Sequence, residues 1–298
     1  MASFTRRELL TTAAGRKQGR PAFAAPSIRP REEWAVDRPP RGRLSDEDVR
    51  FLIVHHSASH NGHSGAEAPA ILRSFYDFHV SNRGWNDIAY NFLVDADGGI
   101  WEGRAGSLDG PVAGDATGGN QGYTQLVCVI GDYDTAEPSS ASITSLVSLL
   151  AWLADRYDIA TSPGSEVSFV SRGSNRHPGG AEVITPTITG HRTMSKTSCP
   201  GGNLDGYVVD GLLADVEAAR AAAIPSTTTT APTTSTTETT TTIPTSSTSV
   251  ATSTTLPIAG PVRPEGSAGL TGIVSSLGAL VVTAAGFLVW RRRRMRQS

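Results

Sequence analysis

The chain has 298 residues and only two cysteines, and its 26 Lys and Arg nearly balance 28 Asp and Glu. The balance hides a segregation: Arg31 to Ala223 carries 14 Lys and Arg against 25 Asp and Glu, while basic residues collect at both ends. An acidic central region argues against nucleic acid as partner, since phosphate contact needs clustered cations, and two cysteines are too few for a disulfide-stapled domain.

Residues 1–27 read as a basic lead with a degenerate export signal. Thr5-Arg6-Arg7-Glu8-Leu9-Leu10 resembles a twin-arginine signal, and Ala22-Phe23-Ala24-Ala25 offers small residues for cleavage. The apolar core between them is short, rich in threonine and followed by Arg16, Lys17 and Arg20, whereas export needs about seven or more apolar residues. Ser27 to Leu44, rich in Pro and Arg, reads as an extended arm.

The apolar, β-branched run Arg50 to His56 predicts a strand. Ala66 to Val80 predicts a helix with Ile71, Leu72, Phe75, Phe78 and His79 on one face, which makes His79 a core histidine. Ile88 to Val94 predicts a second strand and Ile100 to Glu102 a third, joined by an Asp97-Gly98-Gly99 turn in which glycine supplies the positive φ. Gly103 to Gly122 is a glycine-rich loop suited to lining a site. Leu126 to Ile130 predicts a buried fourth strand, with Cys128 a small core residue in it. Ser139 or Ser140 caps a helix running to about Tyr157. A Gly/Ser-rich excursion follows, then the loop Gly190 to Gly201, and an amphipathic helix from Leu204 to about Ala223. Strands and helices alternate, giving one α/β domain over residues 28–223, a single mixed central β-sheet flanked by helices.

Beyond it, residues 224–268 form a Thr/Ser/Pro-rich linker that cannot bury a core and is expected to be a disordered stalk. Residues 269–290 carry no charge and match the roughly 20 residues that cross a bilayer, predicting one C-terminal transmembrane helix. The basic residues 291–298 would stay in the cytoplasm and leave the domain outside. Leu256-Pro257-Ile258-Ala259-Gly260 resembles the LPxTG sorting signal, with Ala259 where Thr is usual, so linkage to the cell wall is the alternative to a retained membrane anchor.

The loop at 190–201 is where chemistry concentrates. His191 and Cys199 lie eight residues apart, and imidazole and thiolate are the commonest zinc ligands. A catalytic zinc takes three protein ligands and one open position, so a third must come from elsewhere, and Val54-His55-His56 at the end of the first strand is the candidate. His56 points to the opposite sheet face if that strand is regular. His60, His63 and His177 sit in polar loops and read as solvent-exposed.

In order along the chain come Arg31-Glu32-Glu33-Trp34, Ile53-Val54-His55-His56-Ser57-Ala58, Gly84 to Val94, Ile100-Trp101-Glu102-Gly103-Arg104, and Gly190-His191-Arg192 with Thr197 and Cys199-Pro200-Gly201. These five motifs resemble the family of peptidoglycan recognition proteins (PGRPs) and type 2 N-acetylmuramoyl-L-alanine amidases, which includes the T7-type lysozyme amidase. The order of the first bulky anchors is most similar to actinobacterial members. The resemblance implies Zn2+ held by His55, His191 and Cys199. It also implies catalytic roles for Tyr90 and Thr197, and hydrolysis of the amide between N-acetylmuramic acid and L-alanine of peptidoglycan. Amidase-active members have cysteine at the last ligand position, where recognition members often have serine, so Cys199 favours an enzyme. Tyr90 and Thr197 would stabilise the oxyanion, a kind of contact whose loss costs ~2.7–4 kcal/mol. Many members have a histidine where this chain has Ala116, and Glu102 or Asp115 are the candidate replacements. That departure motivates the alternative of a non-catalytic or weakly catalytic peptidoglycan-binding module. The implied protein is a monomer on the outer face of the cell envelope, with muramyl peptides and the membrane as partners.

Overall fold

A computed structural model describes residues 23–118 and 122–223 of the chain. Most of the export lead, the linker, the sorting-like pentapeptide, the 269–290 span and the basic tail lie outside the described residues. Among the described residues no helix is long and apolar enough to cross a membrane. The elements are β1 (Ile28–Arg29), β2 (Phe51–His56), α1 (Ala68–Asp77), β3 (Phe92–Val94), β4 (Ile100–Glu102), β5 (Thr124–Val129), α2 (Ser140–Arg156), β6 (Glu166–Val170), β7 (Glu182–Pro186), β8 (Ile188–Gly190), α3 (His191–Met194), α4 (Gly202–Tyr207) and α5 (Leu213–Ala222).

Six strands form one sheet in the order β1-β4-β3-β5-β2-β8, and β6 and β7 form a separate antiparallel pair. Only β3 and β4 run antiparallel in the main sheet; every other neighbour is parallel. The sheet is therefore mixed, and helices flank it. Its central strands β2 and β5 are buried at every residue, as expected where both faces are covered.

Side-chain alternation sorts the residues of β2 between two cores. Leu52 and Val54 join Val127 and Val129 of β5 against Leu146, Leu149, Leu150 and Leu153 of α2 and Val216 of α5. Each such leucine contributes about 1.5–3 kcal/mol when fully buried. Phe51 and Ile53 point the other way, towards Leu126, Phe169 of β6 and Val183 of β7. Further along that face, Cys128 and Ile130 meet Leu72 and Tyr76 of α1. His55 falls between the hairpin and α1, and His56 falls on the α2 side.

The arm before β2 closes the far edge of the sheet. Arg31 pairs with the fully buried Asp87 at 2.7 Å, and Trp34 Nε1 donates to the Glu102 carbonyl at 2.8 Å. The Arg-Glu-Glu-Trp motif is thus a structural clasp.

Several boundaries differ from expectation. β3 starts at Phe92 rather than Ile88, because the Asn91 side chain replaces a main-chain acceptor: its Oδ1 accepts from Leu126 N at 2.8 Å. The chain after α1 widens into a π turn at Phe78–Asn82. The C-terminal helix is likewise interrupted by a π turn, Val208–Leu212, containing Gly211. The Gly/Ser-rich excursion, for which the sequence predicts no element, contains β6 and β7, and β8 follows it. Ser139 is the cap of α2, accepting from Ser142 N, and Gly98 supplies the positive φ of the β3–β4 turn.

Candidate metal centre and cleft

Strand pairing brings the first two residues of the site together. β8 runs parallel to β2 with Gly190 opposite Val54. His55, the next residue of β2, and His191, which follows β8 and opens α3, therefore emerge side by side, their ring centroids 4.4 Å apart. The third arrives by a fold-back of the chain after α3. Arg192 draws it closed, pairing with Asp205 at 3.3 Å and donating to the Ser198 carbonyl. Gly201 takes φ +94°, and a Cβ there would run into the Tyr133 backbone, so only glycine allows this approach. The Cys199 sulfur ends 3.6 Å from His55 Nδ1 and accepts from the His56 backbone N–H at 3.4 Å. The ligand atoms of His55, His191 and Cys199 all lie within 4.8 Å of one another.

Burial holds these groups uncharged. It keeps His55 well below the usual imidazole range, helped by its histidine neighbours. It lowers His191 to about 4, with His56 adding to the effect, and pushes the Cys199 thiol up to about 12. His55 Nε2 and both ring nitrogens of His191 are buried with no hydrogen-bond partner. Buried polar atoms are normally paired, so three orphaned nitrogens beside one sulfur are a donor set lacking its acceptor. A divalent cation would take one nitrogen from each ring, and would favour the thiolate that burial alone opposes.

A cleft of about 440 Å³ opens nearby, lined by Ser57, Phe78, His79, Trp85, Tyr90 and Ala116 among others. Tyr90 links it to the cluster, its ring centroid 5.3 Å from that of His55. Burial raises the Tyr90 pKa well above the phenol range, so its hydroxyl stays protonated. Thr197 is exposed, and its Oγ1 accepts from Cys199 N at 3.2 Å, which leaves the hydroxyl proton free to donate. A larger cavity, about 560 Å³, lies around the Asp95–Gly99 turn. Its carboxylates are already occupied: Asp95 accepts from Gly99 N and Trp101 Nε1, and Asp97 from Gly65 N. It has no free ligand set.

Other residues singled out from sequence fall elsewhere. His56 faces away from the cluster, its Nδ1 accepting from Tyr133 N at 3.2 Å. His79 is buried as expected, accepting from Ala89 N, though its ring borders the cleft. Neither candidate replacement for the absent loop histidine is available. Asp115 pairs with the buried Arg104 at 2.7 Å, and Glu102 accepts from Leu108 N and Arg31 N. His60 is exposed, but His63 and His177 are half-buried, accepting from Ala96 N and bonding the Thr193 carbonyl. Polar loop composition misplaced them because their partners are backbone groups distant in sequence. Arg192 and Asp205, which shape the Cys199 loop, were not singled out; the Arg next to a ligand histidine was their only local signal.

The sequence profile of the Amidase_2 family, N-acetylmuramoyl-L-alanine amidase, matches residues 45–202. Peptidoglycan-recognition protein SC2 of Drosophila melanogaster is 29% identical over 157 residues, covering 52% of this chain and 70% of its own. The Homo sapiens N-acetylmuramoyl-L-alanine amidase is 28% identical over 188 residues, 61% of this chain and 28% of its own. Among solved structures, the ectodomain complex of peptidoglycan recognition proteins LCa and LCx with bound tracheal cytotoxin is similar in fold. Its TM-score is 0.50 at 23% identity, covering 62% of this chain and 96% of that one.

Proposed function

The chain belongs to the N-acetylmuramoyl-L-alanine amidase family, and from that premise we propose that it is a zinc-dependent amidase cutting between N-acetylmuramic acid and L-alanine of peptidoglycan. One observation carries the proposal: His55, His191 and Cys199 converge within 4.8 Å with unpartnered ring nitrogens. Two imidazoles and one thiolate are a fitting set for zinc, which in hydrolases takes three protein ligands and keeps a position open. When bound, zinc supplies Lewis acidity that lowers the pKa of a water from 15.7 to about 7.

The chain's own residues do the rest. The aromatic and hydroxyl lining of the cleft holds the muramyl peptide and sheds water around the scissile amide. Tyr90 donates to the carbonyl oxygen as negative charge develops on it. Thr197 donates from the opposite loop, its oxygen fixed by the Cys199 N–H. Each such donor acts only where charge develops, which is what accelerates the chemical step. On the sequence grounds given above, we place the domain on the outer face of the cell envelope, held by residues 269–290 or joined to the wall.

A second reading is favoured by Ala116, which presents a methyl to the cleft where many relatives have an imidazole. On that reading the site binds muramyl peptides and cuts slowly or not at all. Incubating the zinc-loaded full chain with muropeptide and measuring released stem peptide by mass spectrometry separates the two. Release that is lost in Cys199→Ser and His191→Ala supports the amidase. Release persisting in metal-free Cys199→Ser would sink it, and wild type that binds zinc and sacculi but releases nothing leaves the binding module.

A further inference from the structure

The excursion between α2 and β8 contributes no side chain to the cleft, yet its central turn is tied to the loop that carries the site. α3 is a single turn of four residues, so the carbonyls at its end have no partners within the helix. Two side chains of the excursion supply them, and a third holds the chain just beyond. His177 Nε2 meets the Thr193 carbonyl at 2.8 Å, and Ser174 Oγ donates to the Met194 carbonyl at 2.8 Å. Asn175 takes both main-chain groups of Lys196, its Oδ1 accepting from the N–H at 2.7 Å and its Nδ2 donating to the carbonyl at 3.4 Å. The turn is braced from within, since Arg176 N and His177 N both donate to Ser174 Oγ. From the other side, Ser195 Oγ donates to the Thr117 carbonyl at 2.8 Å, beside Ala116 of the cleft. Every residue from Thr193 to Lys196 is thereby held from outside its own segment.

This density of contact sits where error would matter most. Lys196 precedes Thr197 directly, and Cys199 follows three residues later, while His191 opens the helix that the turn grips. A ligand or donor displaced by an ångström loses most of its effect. We propose that Ser174, Asn175 and His177 are positioning residues, a latch that fixes the main chain between His191 and Cys199 so that both ligands and Thr197 are preset. The inference rests on reading this site as that of a metal-dependent amidase.

The test uses the full chain and two readouts, cobalt(II) affinity followed by thiolate-to-metal absorption, and stem-peptide release resolved into kcat and KM. Asn175→Ala and His177→Ala each remove a contact. Asn175→Asp keeps the acceptor for Lys196 N–H, and His177→Gln keeps a donor for the Thr193 carbonyl. The alanine variants are expected to bind cobalt about 3- to 10-fold more weakly and to lower kcat about tenfold with KM within about twofold, and the conservative pair to recover most of both. Ile184→Thr, on the outer face of the same hairpin, should leave both readouts unchanged. Cobalt affinity within twofold of wild type in both alanine variants would overturn the latch. So would conservative variants as impaired as the alanine ones with a matching fall in Tm, which marks support of the fold alone. If wild type releases no stem peptide, the amidase reading fails, and the cobalt titration still decides the latch.

Discussion

On the face of the sheet covered by α2 and α5, leucine and valine fill the space and the polar group that lands there, His56, is given a main-chain partner by Tyr133. On the other face, α1 and the β6–β7 hairpin cover the strands separately, and His55 lies between them with its Nε2 unpaired. The two histidines are adjacent in sequence and both almost fully buried, at 1% and 3% exposure. Burial therefore does not distinguish them; completion of their hydrogen bonds does. The closed face has used its polar atoms for structure, and the split face leaves ring nitrogens unpaired.

Substitutions on each face test that contrast. His55→Ala should have the largest effect, lowering zinc affinity by more than the roughly 10–100-fold that loss of an outer partner costs and removing stem-peptide release, while the metal-free protein keeps its Tm; isothermal titration and thermal melts read the two. Leu150→Ala, on the closed face, should do the reverse, costing about 2–5 kcal/mol in urea unfolding with zinc affinity intact in the folded protein. His79, at the rim of the split face, is lowered by burial to about 4 from 6.5, with Arg83 and Arg104 adding to it. Its neutral form is the native one. Above pH 6.5 it has no effect on stability, and below that the unfolded chain takes up the proton first. Stability should thus fall by up to about 3 kcal/mol between pH 6.5 and 4, and His79→Phe should flatten the metal-free profile by that amount relative to wild type. His56→Ala should cost about 1–3 kcal/mol, the penalty for leaving Tyr133 N–H unpaired, and should alter zinc affinity far less than His55→Ala. If the two alanine variants lost zinc equally, the division between faces would be wrong.

How much of this was legible varies with how local the cause is. β2, β5 and α2 are written in runs of apolar residues and a serine cap, signals contained within each element. The convergence of His55, His191 and Cys199 was accessible as chemistry, from ligand types and a resemblance, but its cause is the β2–β8 register, a pairing between segments far apart. β6 and β7 escaped because they bury so little, Phe169 with a half-buried Val167 in one and Val183 with Thr185 in the other, amid flanking Gly and Ser that mask the alternation. The fates of Asp115 and Glu102 were not legible either. A carboxylate in a loop or at a strand end looks free until the buried Arg104 or the Arg31 clasp is placed beside it.

The parallel pairing of β2 with β8 also sets a clock. His55 and Cys199 meet across 144 residues of chain, and no shorter segment contains the complete ligand set. At about 5–20 residues per second of synthesis, roughly 7–30 s separate the appearance of the first ligand from the last. A nascent or truncated chain holds β2 and most of the cleft but only part of the ligand set, which is complete only when the domain is whole.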